Sequence, residues 1–172
     1  MVPKQIMRPM TGTVTNKSGF METMVQASWT TSWGREMDLL THLTREPLPF
    51  ATLLGIDIVS AVPDKTITEM RVRDELCTRP AVLHGGAVMA FADTLGALGT
   101  LANLTDGSRT ATIESKTNFI RAAPLGSQIV GETTPLHRGQ RTMVWQTRIT
   151  TTDGKLIAVV TQTQLVFPAA PH

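Results

Sequence analysis

The sequence predicts an α+β protein: one antiparallel sheet with a single long helix packed on its face. Three observations carry that expectation. Residues 87–104 contain no proline and one ionisable group, Asp93, while Val88, Met89, Phe91, Leu95, Leu98 and Leu101 place apolar side chains on every side. A helix that is apolar all round is a buried helix. A hairpin pattern precedes this run, and four strand-like runs separated by turn residues follow it.

Taken in order, residues 1–35 are rich in Ser, Thr and Met, show no sustained period, and read as a flexible extension ahead of one domain spanning 36–172. This segment is poor in acids, with Glu22 alone against Lys4, Arg8, Lys17 and Arg35. That is weakly like a transit segment, but the prolines and few arginines count against one. Glu36 to Arg45 reads as a short amphipathic helix with Met37, Leu40 and Leu43 on one face, ended by Pro47 and Pro49. Leu53 to Val62 reads as a strand, Pro63-Asp64-Lys65 as a turn, and Thr66 to Asp74 as the hairpin partner. Residues 75–83 read as a loop leading into the central helix, which runs from Gly85-Gly86 to about Asn103. The later runs are Arg109–Arg121, Ser127–Leu136, Arg141–Thr152 and Lys155–Phe167, expected to form a meander. In the last run the apolar alternation passes through Leu156, Ala158 and Val160, then Leu165 and Phe167. Asp153-Gly154 is a hairpin turn.

The helical run is marginal in length for a membrane span, and its central Asp, Gly96, Gly99 and lack of a second apolar segment favour a core helix. The glycines lower helix propensity by about 1 kcal/mol each against Ala, which is reasonable where another backbone approaches closely. Such an approach is expected from a second copy of the helix. The net charge of +2, with no basic run interleaved with aromatics, does not point to nucleic acid. A lone cysteine, Cys77, allows no intrachain disulfide and fits a reducing, cytoplasmic setting. It has no His partner at a nucleophile spacing. The histidines are scattered at 42, 84, 137 and 172, so no metal or other cofactor is expected.

Chemistry concentrates in the helix. Gly85 and Gly86 leave unpaired N–H groups at a helix start, where partial positive charge can hold an anion or polarise a carbonyl. A tight turn needing glycine is the alternative reading. Asp93 is a poor mid-helix residue, and on an apolar helix it lacks easy access to water. It is either a carboxylate satisfied by a neighbour, one on an exposed edge, or a general base or nucleophile in a cleft. Gly85 and Asp93 are eight residues apart, about 12 Å along a helix axis. One helix cannot bring both within reach of one reacting carbonyl. An antiparallel second copy can, so a joint role requires at least a dimer.

His84-Gly85-Gly86, Ala92-Asp93-Thr94, the run Thr110–Arg121, Gly126, the run His137–Arg141 and the run Asp153–Ala158 together resemble the hotdog-fold acyl-CoA thioesterases. The likeness is to the PaaI-like, phenylacetate-pathway branch, related to 4-hydroxybenzoyl-CoA thioesterases. It spans about residues 46–168 in the correct order. The resemblance implies a curved antiparallel sheet wrapped around one long helix, in homodimers often paired into homotetramers. It implies hydrolysis of an acyl-CoA thioester to a carboxylic acid and free coenzyme A at a subunit interface. It makes Gly85 the donor to the thioester carbonyl and Asp93 the catalytic carboxylate of the other subunit. Thr112 then helps place water, and His84 shapes the helix start, as a cap or as a catalytic part. Thr78, in the preceding loop, and Gly86, at the helix start, are then substrate-binding positions. Family members often carry Asn and Gly where this chain has Thr78 and Ala81, which puts thioester orientation in question. Arg121, Arg138 and Arg141 are candidates for coenzyme A phosphates or are solvated turn charges. The acyl pocket is expected to be lined partly by Phe91 and Leu95. A non-catalytic acyl-CoA binding protein is the alternative. A hotdog hydratase is a further one, although its signatures do not occur here.

Overall fold

The computed structural model describes residues 39–105 and 107–169. The N-terminal extension and the start of the first helix, with Glu36 and Asp38, lie outside the described residues. Helix α1 covers Leu39–Arg45 and buries Leu43. Helix α2 (Pro49–Leu54) corrects the expectation for this stretch. Pro49 opens a helix rather than ending one, since the first turn needs no proline N–H. Gly55, at φ 71°, closes the helix in the left-handed conformation, so strand β1 begins at Ile56 and not at Leu53.

Strands β1 (Ile56–Val62) and β2 (Lys65–Arg71) form the expected hairpin. The stretch expected to be a loop holds a short 3-10 turn, Asp74–Leu76, and a two-stranded hairpin, β3 (Cys77–Thr78) with β4 (Val82–Leu83). Its turn contains a cis peptide bond between Arg79 and Pro80, and Ala81 sits at φ 64°. Helix α3, Gly85–Leu101, follows. The remaining strands are β5 (Arg109–Phe119), β6 (Gln128–Arg138), β7 (Thr142–Thr151) and β8 (Leu156–Phe167).

The main sheet has the order β1-β2-β6-β7-β8-β5, antiparallel throughout. Only β6, β7 and β8 form the expected meander. Strand β5 does not pair with its successor; it lies at the far edge against β8. Helix α3 touches all six strands, so the sheet surrounds it on one side. Phe91, Leu95 and Leu98 are fully buried, and the first two pack in a core that includes Met70, Val72, Ile129, Ile149 and Ile157. Each such side chain contributes roughly 1.5–3 kcal/mol on leaving water.

The two helix glycines admit side chains of the chain's own sheet. A Cβ on Gly96 would stand 2.1 Å from Gln162 Oε1, and one on Gly99 would stand 3.0 Å from the Trp145 ring. This replaces the expectation that they open the helix to a second copy. Trp145 Nε1 donates to Thr100 Oγ1 at 2.8 Å, which fixes the ring in that space.

Candidate active site

Helix α3 is not buried on every side. Gly86, Met89 and Asp93, spaced three and four apart, form an exposed edge. Asp93 therefore reaches solvent in the single chain, on the exposed edge that is one of its open readings, although the sequence predicts a helix buried on all sides. Its carboxylate is nonetheless held. Thr112 Oγ1 donates to Asp93 Oδ1 at 2.8 Å, and Gln162 Nε2 donates to the same oxygen at 2.7 Å. Asp93 Oδ2 has no hydrogen-bond partner among the described residues.

The sheet is shaped to make this contact. The β5–β8 register shifts between Thr112 and Glu114, leaving Ile113 as an extra residue on β5. A bulge of this kind re-aims the neighbouring side chain. Thr112 lies opposite Gln164 in the ladder, and Gln164 Nε2 donates to Thr112 Oγ1 at 2.8 Å. Gln162 and Gln164 face inward from β8 and are almost completely buried. Neither was expected from the sequence. The signal lay in phase: alternation from Ala158 and Val160 continues to Gln162, Gln164 and Val166. Leu165 and Phe167 lie on the opposite face.

The second half of the site is the start of α3. His84 is the N-cap, and its Nδ1 accepts from Gly86 N–H at 2.9 Å. That bond commits Gly86. The Gly85 N–H has no partner among the described residues. Gly85 lines a cleft of about 390 Å³ with Val88, Phe119, Ile120, Arg121 and Ile157, among others. The Phe119 ring stands 3.4 Å from where a Gly85 Cβ would lie. Phe91 and Leu95 do not line this cleft; both are fully inside the core.

The structure thus joins Asp93 with Thr112, His84 with Gly86, and Gly85 with Arg121. Arg138 lies elsewhere, beyond the other end of α3. It pairs with Asp64 at 2.8 Å and reaches Asn103 Oδ1 at 3.3 Å, beside a second cleft of about 550 Å³. Arg141 is exposed at the end of the same β6–β7 hairpin. Thr78 is exposed on the β3–β4 hairpin, where its carbonyl accepts from Ala81 N–H at 2.8 Å. Cys77 donates its Sγ–H to Arg73 O at 3.2 Å. Partial burial, and then the Asp74 and Glu75 carboxylates, push its thiol pKa up, which suits an inert thiol.

Strand β5 is one of the two edges of the main sheet. Strand β5 has a ladder partner on one side only, and Met89, Ile113, Phe119 and Ile120 are exposed on or beside it. Among the described residues, no helix is long and apolar enough to cross a membrane.

A long helix crossed by one antiparallel sheet in this strand order defines the hotdog class. The sequence profile of the thioesterase superfamily matches residues 81–158, which include the α3 start, Asp93, Thr112 and most of the sheet. Human acyl-coenzyme A thioesterase 13 is 31% identical over 111 residues, 63% of this chain and 79% of that protein. The crystal structure of a Haemophilus influenzae thioesterase superposes with a TM-score of 0.72 at 26% identity, covering 81% of this chain and 97% of that one. The Escherichia coli PaaI protein from the phenylacetic acid degradation operon shares the fold, with a TM-score of 0.68 at 22% identity over 75% of this chain and 91% of that one. The chain belongs to the thioesterase superfamily of hotdog-fold thioester hydrolases.

Proposed function

We propose that the protein is a homodimeric or larger acyl-CoA thioesterase whose active site combines Gly85 of one protomer with Asp93 of another. The observation that carries this reading is the state of Asp93. One carboxylate oxygen is pinned by Thr112 and Gln162, and the other is unpartnered on an exposed helix edge. A positioned carboxylate with a free oxygen can take a proton from water. The unpaired Gly85 N–H, at the positive end of α3, suits the developing oxyanion of a thioester. The two groups are about 12 Å apart along one helix, so they serve one carbonyl only across a two-fold axis. The free edge of β5, with its exposed apolar side chains, is the surface such a partner would cover.

In this reaction the water oxygen bonds to the thioester carbon while its proton passes to Asp93. The carbonyl electrons move onto the oxygen held by Gly85 N–H. They return as the C–S bond breaks, and the thiolate of coenzyme A takes up the proton from Asp93. Thr112 keeps the carboxylate in place. His84 acts by capping α3 through Gly86, which leaves the Gly85 N–H free for substrate. Arg121, at the cleft, is the nearest of the proposed phosphate contacts. Arg138 and Arg141 would act only from their own end of the fold. Thr78 takes the position of the usual thioester-orienting amide with a hydroxyl.

The test is Asp93→Asn assayed across aryl, short-chain and long-chain acyl-CoAs by thiol release. A folded variant should lose about 100-fold or more in kcat. Full hydrolysis by that variant overturns the mechanism. Tight acyl-CoA binding by the unaltered protein without thiol release would instead make it a binding protein.

A further inference from the structure

Gln162 and Gln164 are buried amides whose roles go beyond the groups that touch water or substrate. Both lie beneath α3 on the inner face of β8, at 1% and 0% exposure. Gln162 Nε2 lies 2.7 Å from Asp93 Oδ1, 3.0 Å from Thr112 Oγ1 and 3.3 Å from the Asp93 backbone oxygen. The reverse amide orientation would set an oxygen against a carboxylate oxygen, so the carboxylate dictates which end faces it. The consequence is that Gln162 Oε1 has no hydrogen-bond partner among the described residues, although it is buried. An unpaired buried carbonyl oxygen is destabilising. An apolar side chain of the same shape would avoid that cost but forgo the bond to Asp93.

Gln164 acts one step further back. Thr110 Oγ1 donates to Gln164 Oε1 at 2.8 Å, which turns Gln164 Nε2 towards Thr112 Oγ1. Thr112 therefore receives two N–H donors, one from each glutamine. A hydroxyl has two lone pairs and one proton. With both lone pairs occupied, the Thr112 proton is directed to Asp93 Oδ1. That oxygen then accepts two donors, and Oδ2 is the one left for a proton from water.

We infer that Gln162 is a positioning residue for Asp93, and that with Gln164 it commits the Thr112 proton to Asp93 Oδ1 and leaves Oδ2 as the working oxygen. Its kinetic arm rests on the proposed hydrolase reading; its structural arm does not.

The deciding variant is Gln162→Met, which removes the Nε2 donor and the unpaired Oε1 together while nearly keeping the shape. We expect kcat to fall about 10- to 100-fold with KM within about twofold, because the substrate never touches Gln162. We expect little change in Tm, because loss of the bond to Asp93 and removal of the unpaired Oε1 offset each other. In a crystal structure of the variant, Asp93 should leave its single rotamer on Thr112. If Gln162→Met does not fold, Thr110→Val loosens the same chain from its far end and should lower kcat several-fold at constant KM. Unchanged kcat in a protein that Asp93→Asn inactivates would overturn the inference and leave the hydrolase reading standing. So would Asp93 remaining fixed on Thr112 without Gln162. If the unaltered protein hydrolyses no acyl-CoA, the hydrolase reading fails, and the Asp93 rotamer still decides the inference.

Discussion

Replacing Gly96 with Ala tests how closely the helix and the Asp93 carboxylate are joined. On an exposed helix the change would stabilise by about 1 kcal/mol. Here the new Cβ would lie 2.1 Å from Gln162 Oε1 and 2.6 Å from its Cδ. Gln162 must retreat by about 1 Å or more to reach a tolerable contact. Its 2.7 Å bond to Asp93 Oδ1 then stretches beyond about 3.5 Å, where it no longer counts as a hydrogen bond. A bond to a charged group contributes about 1.5–3 kcal/mol, and overpacking a core adds about 1–3 kcal/mol against the fold. Set against the helix gain, the net loss is about 1.5–5 kcal/mol, or roughly 3–20 °C in Tm. Activity should fall as well, with kcat lower by at least about tenfold from misplacing Asp93. Thermal unfolding and steady-state thiol release measure both. A Gly96→Ala protein with the original Tm and kcat would show that Gln162 does not occupy the space beneath Gly96.

Three further outcomes follow from the same geometry. Ala81→Gly should raise stability by about 1 kcal/mol, because Ala81 sits at φ 64°, a conformation costly for any residue with a Cβ; an unchanged or lower Tm would contradict this. His84→Ala should lower stability by about 1 kcal/mol through loss of the Gly86 cap, with His84→Asn recovering most of it in chemical denaturation. A variant as stable as the unaltered protein would deny the cap. Ile113→Asp, on the exposed bulge of β5, should cost a single protomer no more than about 0.5 kcal/mol yet dissociate the proposed oligomer, as read by light scattering. An oligomer that survives the change would move the interface away from β5.

Much of the architecture is legible in the residues. The helix over Gly85–Leu101 and the later strands announce themselves through proline-free apolar runs and glycine-bearing turns. Strand order is not, because nothing local to β5 says that it crosses to the far side of β8. The first strand is misplaced by three residues because Leu53 and Leu54 are as apolar as a strand needs and Pro49 works equally well as a stop or a start. Asp93 stands out as the one ionisable residue of an apolar helix and Thr112 through the family resemblance, and the structure brings them into contact. Gln162 and Gln164 escape notice because polar residues in a strand normally mark its wet face. Only the unbroken phase of β8 turns them inward. Gly96 and Gly99 draw attention for a sound reason, close approach, but the approaching atoms are Gln162 and Trp145.

The proposed mechanism stands or falls on one site drawing Gly85 and Asp93 from different protomers. Gly85 follows the His84 cap, and the first helical position tolerates proline, so Gly85→Pro removes the N–H while keeping the helix start. Gly85→Pro and Asp93→Asn should each be inactive as pure proteins. Dissociated, mixed in equal amounts and reassembled, they should regain about a quarter of the unaltered activity: half of random dimers are mixed, and each mixed dimer holds one intact site of two. A mixture of demonstrated heterodimers with no activity above the pure variants would place both groups in one protomer's site, and would contradict the shared site.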